Sequence, residues 1–256
     1  MKKTRLLIKV TALLAALVPL VAASPAGASG WALTYWGDYS TNALVGRVLT
    51  PDGTDNYFFT KTITNNVGNL NMSAVTGNTG GNLREIIWPQ GTADSLNSQS
   101  CATWVSVSDE SNQEGLAMRI VDTGTGTRAV TVTKNVIYGV HWVFNVHTWD
   151  TTGNPAVPFT QVAQFDMVDA MYQNGNLRPK PWRACSRIVN NTLEFKIWFP
   201  FQGQSEPAWG DATYSRSATI PALSSFQAGK TGWYIGHLGP NQAAHYNGLT
   251  TFTLVP

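Results

Sequence analysis

Between Val136 and Trp149 the chain reads VIYGVHWVFNVHTW, and its two alternating sets of side chains differ in kind. The even positions Val136, Tyr138, Val140, Trp142, Phe144 and Val146 are large and apolar, whereas the odd positions include His141, Asn145, His147 and Trp149. Side chains alternate faces along a β-strand, so a period of two predicts one set in a core and the other on a wet face. The same alternation over Thr192 to Phe199 puts Leu193, Phe195, Ile197 and Phe199 inward and Glu194, Lys196 and Trp198 outward. Over Phe159 to Tyr172, the residues Phe159, Ala163, Phe165 and Met167 read as a core set, leaving Gln164 and Asp166 outward.

Helix signals are nearly absent elsewhere. Strand-like runs recur at Tyr57 to Ile63, Leu83 to Trp88, Cys101 to Ser108, Leu116 to Asp122, Arg128 to Ile137, Trp182 to Val189, Thr231 to Leu238 and Leu249 to Val255. Hairpin turns are predicted at the Gly-rich Asp122 to Thr127 and at Asn190-Asn191, where Asn tolerates positive φ. Val67 to Gly81, rich in Gly, Asn and Thr, reads as a loop. Gln202 to Arg216 reads as another, with Pro207 to Gly210 laying an indole over a sheet edge. So many short antiparallel strands cannot bury their apolar faces in one flat sheet. The pattern therefore predicts an all-β, two-sheet antiparallel jelly-roll sandwich without internal repeats.

The N-terminus carries Lys2, Lys3, Arg5 and Lys9, then an apolar run from Val10 to Val21 and an Ala26-Gly27-Ala28 exit. This is the layout of a secretory signal peptide over 1–28, cleaved after Ala28 or alternatively after Ala23, with the sandwich domain over 29–256. A secreted, extracellular location follows, with no transmembrane segment after signal cleavage, because no later apolar run is long enough to span a bilayer. Charged residues make up only 12% and the net charge is +2, with no Lys/Arg cluster after the signal. Neither a nucleic-acid partner nor an anionic membrane is therefore implied. Cys101 and Cys185 are the chain's two cysteines, and in an oxidising compartment they are expected to form one disulfide.

Three stretches resemble the closing strands of concanavalin A-like lectin/glucanase domains: Gly229 to Gly239 (GKTGWYIGHLG), Ala244 to Phe252 (AHYNGLTTF) and Asn191 to Trp198 (NTLEFKIW). The whole chain also resembles exported actinobacterial proteins of unassigned function. The resemblance implies a jelly roll whose concave sheet binds or cleaves polysaccharide. Retaining glucanases of that superfamily carry E-x-D-x-x-E on one strand, placing two carboxylates on one face. This chain has no such spacing. Its nearest approach, Asp166-Met-Val-Asp169, is three residues apart and points to opposite faces of a regular strand.

Sugar rings need flat apolar surfaces for their C–H faces and planar polar groups for their hydroxyls. His141, Asn145, His147, Trp149, Gln164, Asp166, Glu194 and Trp198 supply both, and are expected to gather in one groove that binds a polysaccharide or cell-envelope glycan without cleaving it. An enzyme of this type, a glycoside hydrolase or lyase, would use Asp166 and Glu194 as its acid/base pair. A structural or adhesive protein meeting a protein partner is a third reading. The sequence specifies no oligomeric state. No cofactor is expected; Asp52 to Asn56 could hold a structural calcium, but as a turn it needs no ion. His141 and His147, six apart on an extended strand, lie about 20 Å from one another and cannot share an ion. His237 and His245 flank a turn without the further ligands a transition metal needs. Neither a G-x-S-x-G elbow nor a nucleotide-binding Gly loop occurs.

Overall fold

A computed structural model describes residues 30–39, 42–50, 57–74, 83–135, 140–154, 157–221, 226 and 228–255. The expected signal, residues 136–139 and the Asp52 to Asn56 segment lie outside them. In chain order the strands are β1 (Gly30–Trp36), β2 (Leu44–Thr50), β3 (Tyr57–Thr64), β4 (Val67–Ala74), β5 (Arg84–Pro89) and β6 (Ser98–Val107). Then come β7 (Gln113–Asp122), β8 (Thr127–Lys134), β9 (Val143–Asp150), β10 (Phe159–Asp166), a helical turn α1 (Val168–Met171), β11 (Tyr172–Gln173) and β12 (Asn176–Leu177). The chain closes with β13 (Trp182–Val189), β14 (Thr192–Trp198), β15 (Ser215–Thr219), β16 (Lys230–Gly236) and β17 (Ala243–Val255).

Two antiparallel sheets result, as the strand pattern predicts. The eight-stranded sheet runs β15-β14-β13-β6-β17-β4-β3, with β1 also on β17; the seven-stranded sheet runs β10-β9-β8-β7-β16-β5-β2. Strand β17 is 13 residues long. One side of it pairs β6, while the other takes β4 along its first half and β1 along its second.

The inward sets meet in one large core. Trp104 stacks on Phe144 across the sheets with ring centroids 6.0 Å apart, Phe144 touches Phe195 at 4.7 Å, and Phe165 stacks on Phe195 at 6.3 Å. Polar bolts cross the same space. The Tyr246 hydroxyl donates to Tyr234 O at 2.8 Å and accepts from Gly115 N, and Trp233 Nε1 donates to Cys101 O at 3.0 Å. Near Asn190, the buried Arg119 guanidinium donates to the carbonyls of Leu96, Phe226 and Asn190.

Several elements depart from the sequence reading. Val67 to Ala74 is a strand rather than part of a loop: Leu70 and Met72 face the core while Asn69 and Asn71 face out. Ser215 and Arg216, the end of the expected loop, begin edge strand β15, which continues to Thr219. Strands β1 and β2 carry no clean alternation; β1 contains a register shift between Leu33 and Tyr35 that breaks its period. Phe159 faces away from the core, because a bulge between Gln161 and Ala163 inverts the parity of β10 on its far side. The loop before β15 lays its indole on a sheet as expected, but on the face over β13 and β14 rather than at an edge. Trp209 lies across the outer face of the eight-stranded sheet, 4.4 Å from both the Lys196 ammonium and the Arg187 guanidinium.

A buried ion cluster closes one end of the sandwich. Lys134 Nζ lies 3.0 Å from Glu110 Oε2 and from Glu114 Oε2, and Lys180 Nζ lies 2.7 Å from Glu114 Oε1. Lys180 also sits 3.9 Å over the Trp182 ring. Glu114 and Lys134 are wholly buried. Burial alone would raise the Glu114 carboxyl, but the two ammonium groups outweigh it and hold its pKa below the usual 4.5.

Two outcomes follow. Cys101 and Cys185 are directly opposite on β6 and β13 and are disulfide-bonded across 84 residues of sequence. Their replacement by alanine should cost about 2–4 kcal/mol, read from denaturant midpoints. Because the folded pKa of Glu114 is depressed, its contribution is present above pH 4.5 and lost as pH falls through the folded value. Glu114→Gln, which leaves two buried ammonium groups short of their counter-ion, should cost about 3–5 kcal/mol near pH 7 and flatten the acid limb of the stability curve.

Candidate functional site

Cross-strand register sets the outer face of the seven-stranded sheet. On β9 the outward residues are Val143, Asn145, His147 and Trp149; directly opposite on β10 lie Asp166, Gln164, Gln161 and Phe159. Five of the residues expected to bind a ligand therefore share one face on two adjacent strands: Asn145, His147, Trp149, Gln164 and Asp166.

The wetness expected of that face is found only at its edge. Trp149 is 1% exposed and His147 7%, because the face carries its own apolar cluster of Leu49, Ile86, Trp88, Ala117, Ile120, Ala129, Trp149 and Tyr234. The Arg84 guanidinium lies 5.9 Å from the Trp149 ring and 5.6 Å from that of Phe159, and Trp149 Nε1 donates to Thr131 Oγ1 at 2.9 Å. The His147 imidazole meets Trp149 and Phe159 edge-on. Burial, reinforced by Arg84 and opposed by a hydrogen bond with Gln161, takes its pKa down to about 4. The ring is neutral at ordinary pH. Asn145 Oδ1 accepts from Gln164 Nε2 at 3.0 Å, and on β10 Thr160, Gln161, Gln164 and Asp166 are exposed.

At that edge, β10 meets β15 of the other sheet, where Arg216 Nε donates to Asp166 O at 2.9 Å. The two edge strands flank an open cleft of about 490 Å³ lined by Gln164, Asp166, Asp169, Arg216 and Ser217, with Phe165 and Val168 among its apolar walls. Asp166 Oδ1 accepts from Val168 N at 2.9 Å and starts the helical turn α1. That turn resolves the spacing of Asp166 and Asp169. The strand ends at Asp166, so the second carboxylate swings round to the same cleft instead of pointing to the opposite face. The sequence reading includes neither Arg216, which falls at the end of the expected loop, nor Ser217, which it assigns to no element. The alternation Ser215, Ser217 against Arg216, Ala218 is too short and too polar to signal an edge strand.

The remaining expected residues lie elsewhere. Glu194 and Trp198 are on β14, on the outer face of the eight-stranded sheet, and do not join the others. Glu194 Oε2 accepts from Arg187 Nε at 2.5 Å. Trp198, 5% exposed, packs with the Cys101–Cys185 disulfide, Trp209 and Phe252. Glu194 is not among the residues lining the cleft that holds Asp166, so the structure does not bring the two together as an acid/base pair. His141 sits in the turn before β9 rather than on the strand face. Burial first, then the Lys134 ammonium, lower its pKa. Among the described residues no group of three or more His, Cys, Asp or Glu could hold a metal ion, and no helix is long and apolar enough to cross a membrane.

No family model and no curated protein matches the chain in sequence. Solved structures do match in shape. A Bacillus subtilis protein of unknown function with a galectin-like fold is 11% identical over 89% of this chain and 98% of its own, with a TM-score of 0.52. The CBM2 module of the evolved Dit of Lactobacillus casei BL23 phage J-1 is 11% identical over 88% of this chain and 96% of its own, with a TM-score of 0.50. At such identities the likeness speaks for architecture alone. The fold is a two-sheet antiparallel jelly-roll sandwich.

Proposed function

We propose that this is a secreted glycan-binding protein, exported by the signal over 1–28, whose site is the edge cleft between β10 and β15. The observation that carries the reading is the convergence of Gln164, Asp166, Asp169 and Arg216 on one open cleft of about 490 Å³ with an apolar back wall. Amide, carboxylate and guanidinium groups offer the paired donors and acceptors that neighbouring sugar hydroxyls require. The volume suits one or two sugar rings. Asn145, by accepting from Gln164, orients that amide at the rim. His147 and Trp149, opposite Gln161 and Phe159 further along the strand pair, are buried and lie outside the lining of the cleft. A jelly roll that shares its fold with a phage CBM2 module is a suitable scaffold.

A second reading, glycoside hydrolysis, is favoured by one feature only: two carboxylates, Asp166 and Asp169, line the same cleft. Both readings are separated by affinity electrophoresis and reducing-end assays on a panel of soluble polysaccharides and cell-wall glycans. Binding predicts retention that Gln164→Ala and Asp166→Ala each weaken about tenfold or more, with no sugar released. Sugar release lost in Asp166→Asn or Asp169→Asn transfers the protein to the second reading. Retention unchanged in Gln164→Ala and Asp166→Ala, or none on any glycan, overturns the proposed site.

A further inference from the structure

The outer face of the eight-stranded sheet has a half that nothing among the described residues covers. There β4 and β1 lie end to end along β17, so that Asn247 faces Asn69 and, further along, Thr250 faces Trp36. The turn after β1 is docked onto the β3–β4 hairpin at this junction. Gly37 N donates to Leu249 O at 2.7 Å, and Asp38 Oδ1 accepts from Gly68 N at 2.6 Å. The approach is close enough that a Cβ at Gly68 would lie 2.2 Å from Gly37 O.

Docking leaves two aromatic rings standing in solvent. Trp36 is 43% exposed and Tyr39 60%, and the rings meet edge-on with centroids 4.3 Å apart. Trp36 Nε1 donates to Asp38 Oδ2 at 3.1 Å. One carboxylate thus holds the indole with one oxygen and the hairpin with the other. The rings are oriented without being buried, which costs apolar exposure that the fold does not require.

The neighbouring sheet surface is polar and uncharged. Thr60, Thr62, Asn69, Asn71, His245 and Asn247 share this face through direct cross-strand pairing, and His245 Nδ1 lies 2.7 Å from Asn71 Oδ1. Lys61, between the two threonines, points to the opposite face, its ammonium 4.9 Å from the buried Tyr35 ring. The guanidinium beside this set, Arg183, donates to Thr103 Oγ1, Gly248 O and Thr250 Oγ1, and the nearest carboxylate is committed to Trp36 and Gly68, so with these charges engaged the face complements a neutral polymer rather than an acidic one. Oriented aromatic rings beside rows of amides and hydroxyls suit the C–H face and the equatorial hydroxyls of a pyranose chain.

We infer that Trp36 and Tyr39, held by Asp38, form a second platform that binds a neutral polysaccharide on the outer face of the eight-stranded sheet. It stands apart from the β10–β15 cleft and does not rest on it. Two sites on different faces let one molecule bridge two glycan chains or engage one branched chain with added avidity.

The test is affinity electrophoresis of the secreted chain in gels containing barley β-glucan, xyloglucan or galactomannan, with thermal melts confirming that each variant folds. Trp36→Ala and Tyr39→Ala should each weaken retention by about tenfold or more, Trp36→Phe should preserve most of it, and Asp38→Asn should fall between. Asp166→Ala reports the cleft separately. Partial loss in Trp36→Ala and in Asp166→Ala, with complete loss in the double variant, supports both sites. Loss in Trp36→Ala alone supports the platform and removes the cleft. Loss in Asp166→Ala alone, no retention of the wild type in any of the three gels, or a Trp36-dependent contact with a protein or a lipid vesicle in place of glycan overturns the platform.

Discussion

The Tyr246 hydroxyl is the group on which the two-layer arrangement turns. It sits wholly buried between the sheets, donating to the Tyr234 carbonyl and accepting from the Gly115 amide. A phenol placed there without partners would cost a few kcal/mol, so the register of β17 is tied to that of β7 and β16. Burial, with the nearby Glu114 charge acting in the same direction, keeps the phenol protonated. The packing of Trp104, Phe144 and Phe195 then follows from sheets held at a fixed spacing. So does the outward direction of every alternate residue on both faces. Specific packing and hydrogen bonds reinforce one another here, which is what a single well-ordered core requires.

Where strand alternation is clean, the architecture was readable from residues alone. Leu193, Phe195 and Ile197 lie in the core as their spacing implies, and so do Phe144 and Val146. The Asn190-Asn191 turn joins β13 and β14, with Asn190 at positive φ. Failures have physical causes. In Val67 to Ala74 the period of two is present, but the Gly, Asn and Ser content suggests a loop, and pairing with β3 and β17 overrides that local preference. The odd set of β9 was expected in water because imidazole and amide are polar. In the fold that face is dry, since Trp149 and His147 gain neighbours from β5 and β16 that are distant in sequence. Glu194 could not be separated from Asp166 by inspection, because strand order is fixed by long-range pairing and not by any local signal.

The two outer faces are consequently unlike. The seven-stranded sheet shields its aromatics under Arg84 and opens only at the β10 edge. Over part of the eight-stranded sheet, the Trp209 loop seals the disulfide, while the part near β4 is left open with its rings turned outward. A jelly-roll sandwich can therefore present recognition chemistry at an edge or on an outer face, and the bulge in β10 and the turn at Asp166 decide which side chains the edge receives. Shape alone, shared with proteins at 11% identity, does not choose between them.

The pairing of Gly30 with Val255 has a topological corollary. The described ends of the chain stand one strand apart, roughly 5 Å, and a short peptide could join them. Reopening the backbone at the Asp122 to Thr127 turn would give a circular permutant in which every strand keeps its neighbours. A group attached at Gly30 or Val255 would emerge from one corner, about 20 Å from Trp36, since six residue steps of extended strand lead from Gly30 to Trp36.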